Sequence, residues 1–241
     1  MARSAIKKRK VAVFDIDGTI FRSSLLIELV ETLVAAGVFP EEARREYAPA
    51  YRDWLDRRDS YEKYIGAVIR TFDRHIRGVK RKKFAELMNE VAEFHRDRVY
   101  RYTRDLVGDL KKKGYYLLAI SHSPKYAVER FGKQLGFNKT YGRILQVDGR
   151  DRFTGITEHV TLIMDKAKIL RRAVEKENLT LRGSVGVGDT ESDINFLKLV
   201  DRPICFNPNG ELYREARRRK WQVVVERKDV IYVLPRGSKK L

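Results

Sequence analysis

The chain has 241 residues, of which 43% are hydrophobic and 35% charged, and its formal net charge is +18. This length suits one or two globular domains, and the composition excludes a miniprotein or a wholly disordered chain. The single cysteine, Cys205, permits no internal disulfide and no cysteine zinc cluster. No apolar run approaches the roughly 18 residues of a membrane-spanning helix, and no signal-peptide pattern is present. We therefore expect a cytoplasmic protein without a membrane partner.

The first predicted element is the apolar run at residues 11–14, which is rich in β-branched side chains and ends at Asp15. Such a run is typical of a buried parallel strand. Apolar residues then recur at helical spacing from Ser24 onward. Three more helical patterns follow, near residues 41–57, 61–76 and 81–100, without a convincing strand between them. The pattern indicates an all-helical insertion after the first strand.

Strands and helices alternate again after residue 104. We predict a strand at 115–120, a hairpin at 141–157, a helix at 164–178 and further short strands near 184–188, 203–206 and 222–225. This order predicts an α/β fold with a Rossmann-like parallel-sheet core. The core would comprise residues 1–21 and 105–241, and residues 22–104 would form a helical cap domain.

Polar residues stand where three of these strands end. Asp15 and Asp17 leave the first strand, and Ser121 and Asp189 follow two later ones. Open parallel sheets bind ligands beyond the carboxyl ends of their strands, so these segments are expected to converge. Two carboxylates two residues apart can provide a nucleophile and an acid–base group. A solvated acidic turn is the alternative reading.

The second group of candidates is more ambiguous when each residue is taken alone. Asp189 and Asp193 offer oxygens that suit magnesium, or they cap a helix. Ser121 can bind a phosphoryl oxygen, but serine also commonly occupies a turn or a helix cap. Lys166 and Lys168 both lie near the start of a predicted helix, where a lysine is ordinarily a solvated surface residue, and the two compete as candidates for a functional role.

Taken together, the motifs resemble the haloacid dehalogenase superfamily of aspartate-nucleophile phosphatases, and within it the phosphoserine-phosphatase-like branch, subfamily IB. The matching residues are Asp15-x-Asp17-Gly18-Thr19, Ser121, Lys166 and Gly188-Asp189-x-x-x-Asp193. The resemblance implies that Asp15 is the nucleophile and Asp17 the acid–base group. It further implies that Thr19 holds the loop, while Ser121 and Lys166 neutralise the transferring phosphoryl oxygens.

The same resemblance implies an Mg²⁺ cofactor. Its ligands would be the side chains of Asp15 and Asp189 and the backbone carbonyl of Asp17. Asp193 would order the waters on the metal and Lys166. The helical cap would close over the site and encode the choice of substrate.

The sequence departs from phosphoserine phosphatases at positions expected to contact the substrate. Ser24 stands near the place of an acidic residue that holds the substrate amine in that branch, and Glu28 lies one helical turn later. The second motif continues with His122 instead of glycine. Ser24, Glu28 and His122 are therefore candidate substrate contacts, and phosphoserine is only one candidate substrate.

These observations predict a magnesium-dependent phosphomonoester hydrolase that acts on a small, anionic phosphorylated metabolite through an aspartyl-phosphate. Two alternatives remain open. Of the +18 net charge, +14 lies outside residues 22–104, and such a surface could serve a nucleic-acid-associated phosphatase or an RNA-binding protein. A phosphomutase could use the same intermediate. The sequence leaves the oligomeric state open.

Overall fold

The structure is a computed structural model that describes residues 8–235, so residues 1–7 and 236–241 of the predicted core lie outside the described residues. The strands are β1 (Arg9–Phe14), β2 (Tyr116–Pro124), β3 (Lys139–Val147), β4 (Phe153–Glu158), β5 (Leu179–Gly188), β6 (Arg202–Phe206), β7 (Gln222–Arg227) and β8 (Val230–Leu234). The helices are α1 (Leu25–Ala35), α2 (Glu42–Leu55), α3 (Tyr61–His75), α4 (Arg81–Phe94), α5 (Arg101–Lys112), α6 (Lys125–Leu135), α7 (Val160–Ile163), α8 (Lys166–Lys176), α9 (Ile194–Leu197) and α10 (Gly210–Arg219). Among residues 8–235, no helix combines the length and the apolar character needed to cross a bilayer.

The strands form one eight-stranded sheet in the order β4-β3-β2-β1-β5-β6-β7-β8. The six interior strands pair in parallel, while β4 and β8 pair antiparallel at the two edges. The predicted α/β class is confirmed, and the sheet is mixed instead of purely parallel. The edge strand β8 was not predicted. It follows β7 through a tight turn in which Lys228 has a φ of 51°.

The sheet separates two apolar cores because successive strand residues point to opposite faces. In β1, Ala12 and Phe14 contribute to one core and Val11 and Val13 to the other. The first core also contains buried residues of α1–α6, and the second contains those of α8–α10. Burial on both faces explains why β1 is a continuous apolar run.

Helices α1–α4 lie between β1 and α5, as the helical patterns predict. The predicted helix over residues 81–100 ends earlier, at Phe94, because the chain leaving the insert is extended and pairs with the chain entering it. Arg22 N–H donates to the Arg98 carbonyl at 3.0 Å, and Tyr100 N–H donates to the Ile20 carbonyl at 2.9 Å. Helix α5 then begins at Arg101, three residues before the end of the predicted cap.

The β3–β4 hairpin reaches across to the helical insert. Gly78 N–H donates to the Phe153 carbonyl at 2.8 Å, and Phe153 N–H donates to the Val79 carbonyl at 3.0 Å. A third bond joins Arg81 N–H to the Asp151 carbonyl at 2.9 Å. Backbone pairing therefore fixes the loop between α3 and α4 against the sheet, and this places α3 above the carboxyl ends of the strands.

Candidate active site

Asp15 lies at the carboxyl end of β1 and is 4% exposed. Its backbone N–H donates to the Val187 carbonyl of β5 at 2.9 Å, which extends the sheet pairing by one residue. The Lys166 ammonium donates to Oδ1 of Asp15 and to Oδ1 of Asp193, each at 2.6 Å. Residues from three distant segments of the chain thus meet at one point.

Lys166 and Lys168 lie on different sides of helix α8, and this distinguishes the two candidates. Lys166 is its first residue and is 3% exposed, whereas Lys168 points outward and is exposed. The Lys168 backbone N–H is bound by the carboxylate of Asp165, which caps the helix. Only Lys166 of the two faces the aspartates.

Asp193 uses both of its carboxylate oxygens within the site. Oδ1 accepts from Lys166, and Oδ2 accepts from the backbone N–H groups of Asp189 (2.9 Å) and Thr190 (3.1 Å). Gly188 allows this close packing, because a Cβ there would lie 2.5 Å from the Asp193 side chain. Asp193 therefore holds both the ammonium and the loop that carries Asp189.

The loop after β1 packs against Asp189. Thr19 Oγ1 donates to Asp189 Oδ1 at 3.2 Å. Gly18 has a φ of +75°, and a Cβ on it would lie 2.1 Å from Asp189 Oδ2. Only glycine combines this backbone conformation with so close an approach.

The acidic side chains at this point outnumber the positive charges. One carboxylate oxygen from each of Asp15, Asp189 and Asp193 lies within 4.8 Å of the others, and all three residues are buried. Burial raises the pKa of Asp15 to about 8 and that of Asp189 well above its usual value. Burial by itself would lower the pKa of Lys166. The negative charges of Asp15 and Asp193 together have the larger effect, so the pKa of Lys166 is raised. Three carboxylates around one ammonium leave a charge deficit that a divalent cation would balance, so the donor set fits Mg²⁺.

The Asp17 side chain points away from this cluster. Its Oδ1 accepts from the Leu25 backbone N–H at 2.6 Å, and its Oδ2 accepts from the hydroxyls of Ser121 (2.5 Å) and Ser123 (2.9 Å). Ser123 N–H also donates to Ser121 Oγ at 2.9 Å. Sequence reasoning missed Ser123, although its place two residues after Ser121 on the same strand was a usable signal.

The three expected substrate contacts have different environments. Ser24 lines the cavity above the aspartates but is buried and caps α1, where it accepts from Leu26 N–H at 3.3 Å. Glu28 does not line this cavity. Its carboxylate instead lies 2.7 Å from Arg98 and 3.2 Å from His95. The expected contact of Glu28 with substrate is therefore not supported by the geometry, because Arg98 and His95 hold its carboxylate away from the cavity.

His122 lines the cavity beside the serines. Burial, together with the Lys166 charge, lowers the pKa of His122 to about 4. The ring hydrogen-bonds the Ile163 carbonyl, while its buried Nε2 has no hydrogen-bond partner among the described residues. His122 is thus a neutral ring, and its unused nitrogen is an acceptor.

The cavity has a volume of about 340 Å³, with Asp15, Asp17, Lys166 and Asp189 among its lining residues. One wall is a face of α3, which contributes Tyr61 and four residues at a spacing of three, four and four: Glu62, Ile65, Ile69 and Asp73. Sequence reasoning did not single out these residues. Their helical spacing places them on one face of α3, but the spacing alone could not show that this face borders the site.

The cavity lining also includes Arg143 of β3, whose side chain is 7% exposed. The Arg143 guanidinium donates to Asp73 and, at 2.9 Å, to Thr157 Oγ1. It also lies over the ring of Phe72, 5.9 Å from its centroid. The cation is therefore already paired with groups of the protein.

Residues 12–198 match the sequence model of the haloacid dehalogenase-like hydrolases. The chain belongs to this family. The match includes the Asp15–Thr19 and Asp189–Asp193 segments, which carry the first and last motifs of the predicted resemblance. The predicted hydrolase class is confirmed with it.

Individual relatives are distant. The chain is 23% identical to an inhibition of morphological differentiation protein of Streptomyces azureus, covering 90% of this chain and 78% of the relative. It is 25% identical to a histidinol-phosphatase of Neisseria meningitidis serogroup C, covering 90% and 98%. A phosphoserine phosphatase of Archaeoglobus fulgidus is 24% identical, and the match spans 83% of this chain but 53% of that protein.

Solved structures confirm the fold. A protein of unknown function from Bordetella pertussis Tohama I superposes with a TM-score of 0.69 at 19% identity, covering 90% of this chain and 98% of that one. A phosphoserine phosphatase solved as an analogue of its phospho-aspartyl intermediate gives a TM-score of 0.63 at 21% identity, covering 92% and 96%. The predicted likeness to the phosphoserine-phosphatase-like branch is thus confirmed at the level of the fold.

Proposed function

We propose that the protein is a magnesium-dependent phosphomonoester hydrolase that works through an aspartyl-phosphate on a small phosphorylated metabolite. The observation that carries this proposal is the Lys166 ammonium shared between Asp15 and Asp193 at the floor of a cavity, with Asp189 beside them. The names of two relatives, a phosphoserine phosphatase and a histidinol-phosphatase, support a phosphatase.

The side chains of Asp15 and Asp189 and the backbone carbonyl of Asp17 would hold Mg²⁺, which as a Lewis acid would withdraw charge from the phosphoryl oxygens. Lys166 adds a fixed positive charge at the same place. Preorganised charges of this kind are the main contribution that a protein makes to phosphoryl transfer.

In the first step, Asp15 attacks phosphorus with the oxygen that accepts no hydrogen bond from the described residues, because Oδ1 is bound by Lys166. A new bond joins this oxygen to phosphorus while the ester P–O bond breaks. Asp17, in its protonated form, gives its proton to the leaving oxygen, and the alcohol departs. The product is an aspartyl-phosphate on Asp15.

In the second step, a water molecule attacks the phosphorus of the aspartyl-phosphate. Asp17 takes a proton from the water, the P–O bond to Asp15 breaks, and inorganic phosphate leaves with both aspartates restored. To reach the reacting oxygens, the Asp17 carboxyl gives up its hydrogen bonds to the hydroxyls of Ser121 and Ser123. The two hydroxyls then become available as donors to the phosphoryl group.

The test is phosphate release from a panel of phosphomonoesters with Mg²⁺, using Asp15→Asn as the matched variant. Loss of the nucleophile is expected to lower kcat about 10⁴-fold or more while the thermal unfolding midpoint changes little. Chelation is expected to abolish turnover, and added Mg²⁺ to restore it. Hydroxylamine should trap an acyl-phosphate at Asp15 in the wild-type protein. Turnover that survives in Asp15→Asn would overturn the proposal.

A further inference from the structure

Cationic side chains are concentrated at the edge of the sheet that lies opposite the candidate active site. The six parallel strands begin at this edge, and helices α5, α6, α8, α9 and α10 end there, because each of them leads into a parallel strand. Six segments form this edge, which we name the basic edge: residues 9–10, 109–116, 132–139, 173–183, 197–203 and 215–222. Together they contain fifteen lysines and arginines but only five aspartates and glutamates.

Most cations of the basic edge are exposed and have no acidic partner. Only Arg217 among them is half-buried, and all the others are exposed. Within residues 8–235, Glu215 is the one carboxylate that pairs with cations of this edge, namely Lys198, Arg218 and Arg219. The remaining positive charges of the edge are therefore available to an external anion.

The helix dipole explains part of this charge but not all of it. Lysine and arginine are favoured near the carboxyl end of a helix, and the last turns of α5 and α10 follow that preference. The preference does not apply to Arg9, Lys139 and Arg202, because each of them is the first residue of a strand. Positive charge therefore follows the whole edge, across helix ends and strand starts alike.

Contacts between neighbouring segments join these cations into one surface. The Lys111 ammonium at the end of α5 lies beside Gly136 at the end of α6, where a Cβ would come within 2.4 Å of it. The Lys10 side chain of β1 packs on Gly183 of β5, where a Cβ would lie 3.0 Å from its Cε. Gly183 N–H in turn donates at 2.5 Å to Asp201, which precedes β6. Six neighbouring strands make the edge about 24 Å long.

The cations are densest where β6 and β7 begin. A cavity of about 270 Å³ opens there. Its charged lining residues are Lys198, Asp201, Arg202, Arg219 and Lys220. Four cations thus surround one carboxylate, and Asp201 is the residue that already accepts a hydrogen bond from Gly183. This part of the edge is suited to bind an anion.

The aromatic rings of the basic edge already carry cations. The Arg219 guanidinium lies 5.5 Å from the centroid of the Trp221 ring, and the Lys10 ammonium lies 5.9 Å from that of Tyr115. Proteins that bind single strands use aromatic rings on which bases stack. Because cations occupy these rings, the edge is better suited to contact phosphates than to stack unpaired bases.

The chemistry of the edge favours a nucleic-acid duplex over a membrane. A duplex presents one negative charge per about 1.7 Å of its axis, so about 24 Å of it carries an array of phosphates that matches the row of cations. Proteins that lie on a bilayer insert apolar side chains into it. Among residues 8–235, the exposed large apolar side chains all lie outside the six segments of the edge.

We propose that the basic edge binds the phosphate backbone of double-stranded nucleic acid without selecting a base sequence. Strand β1 has six residues, so the edge lies about 20 Å from Asp15. The candidate active site therefore faces away from the bound duplex. The proposal goes beyond the phosphatase function and does not depend on it, because binding can be measured without turnover.

The test is the fluorescence anisotropy of a labelled duplex of about 20 base pairs, titrated with the full chain at several salt concentrations. The logarithm of the association constant should fall linearly with the logarithm of the salt concentration, with a slope of about −4 or steeper if four or more phosphates are contacted. A duplex of the same length and a different sequence should give the same Kd. No binding, or a slope near zero, would overturn the proposal.

Two double variants assign the binding to the edge. Arg202→Gln with Lys220→Gln, and Lys112→Gln with Lys113→Gln, remove two charges each from different parts of it. Each pair should raise Kd about tenfold or more at 0.1 M salt and make the slope shallower by about 1 to 2. The thermal unfolding midpoint checks that the variants are folded. Unchanged Kd in both folded double variants would overturn the proposal.

The matched control removes the same net charge from another surface. Lys82 and Lys83 are exposed on α4 and form no ion pair with the described residues. Lys82→Gln with Lys83→Gln should change Kd by less than about twofold, because exposed charges are screened beyond about 10 Å at this salt concentration. An increase in Kd equal to that of the edge variants would show that net charge alone drives binding, and would overturn the proposal.

Further ligands and Asp15→Asn separate this proposal from its alternatives. Asp15→Asn should bind the duplex as tightly as the wild type, since the nucleophile lies at the opposite edge. Loss of binding in that variant would instead place the nucleic acid at the candidate active site. Tighter binding of a single strand of the same length, or binding to vesicles of equal parts phosphatidylserine and phosphatidylcholine without binding to the duplex, would also overturn the proposal.

Discussion

At the floor of the cavity the Lys166 ammonium lies 2.6 Å from two carboxylates, whereas on the wall the Glu62 carboxylate has no ionic partner among the described residues. The floor is built from short loops at the ends of buried strands. The wall is a helix face and a hairpin that backbone pairing holds above those strands. Under the proposed function, this contrast assigns the reaction chemistry to the floor and the substrate selection to the wall. Changes to the floor should slow every substrate alike, and changes to the wall should reorder the substrates.

Among substitutions at the cavity floor, Lys166→Met is expected to have the largest effect. Removing the ammonium leaves Asp15 and Asp193 buried without their cation, and breaking a buried pair in this way costs about 3–5 kcal/mol in free energy of unfolding. Turnover should fall for all esters without a change in their ranking. Urea denaturation and steady-state kinetics measure the two effects.

Lys168→Met is the matched control, because Lys168 lies on the same helix but is exposed. Its effect on the free energy of unfolding should stay within about 0.5 kcal/mol. Equal losses in the two variants would contradict the assignment of Lys166 to the site.

A backbone change tests how closely the floor is packed. In Gly18→Ala the new methyl would overlap Asp189, whose Oδ2 would lie 2.1 Å from the added Cβ, so Asp189 must move. A displacement of this size is expected to reduce kcat/KM about 100-fold. Gly37→Ala meets an equally positive φ of +65° with nothing within 4 Å. That variant should lose stability through backbone strain but retain activity, and a similar activity loss in both would argue against the packing explanation.

The titration of His122, at the border of floor and wall, should affect stability. Its pKa is about 4 in the folded protein and about 6.5 in the unfolded chain, with burial as the main cause. As the pH falls from 6.5 to 4, His122 binds a proton in the unfolded chain but stays largely neutral in the folded protein. The free energy of unfolding therefore decreases over this range. The loss should reach about 1–3 kcal/mol at pH 4. Urea denaturation at several pH values should show a shallower decrease in His122→Asn.

His159→Asn controls for the loss of a histidine in that experiment. His159 is exposed, and its φ of 50° suits asparagine. If both variants flatten the pH dependence equally, burial of His122 is not its source.

The smallest expected effect is that of Ser123→Ala. This change removes one of the three hydrogen bonds to Asp17, at a cost of about 0.5–1.5 kcal/mol in stability. Because Asp17 retains its bonds to Leu25 and Ser121, kcat should fall only a few-fold, and by the same factor for every ester. A change in the order of kcat/KM among the esters would instead indicate that Ser123 contributes to substrate selection.

Most of the fold could be predicted because each signal is local. The apolar run of β1, the helical spacing in the insert and the turn in the β3–β4 hairpin each depend on neighbouring residues. The extended segment at 98–100 could not be predicted, because its conformation depends on pairing with residues 20–22 far away in the chain. The same limit explains why residues 81–100 were interpreted as one helix.

The convergence of the candidate site residues could be predicted from the sequence alone, since the ends of parallel strands meet at one edge wherever they fall in the chain. The sequence therefore indicated that Asp15, Ser121 and Asp189 would converge. The three-dimensional arrangement was needed to show which lysine joins them and that Arg143 is paired with Asp73, seventy residues away in the chain. Whether a charge is free or neutralised depends on distances of a few ångströms between separate segments, and residue spacing carries no record of those distances.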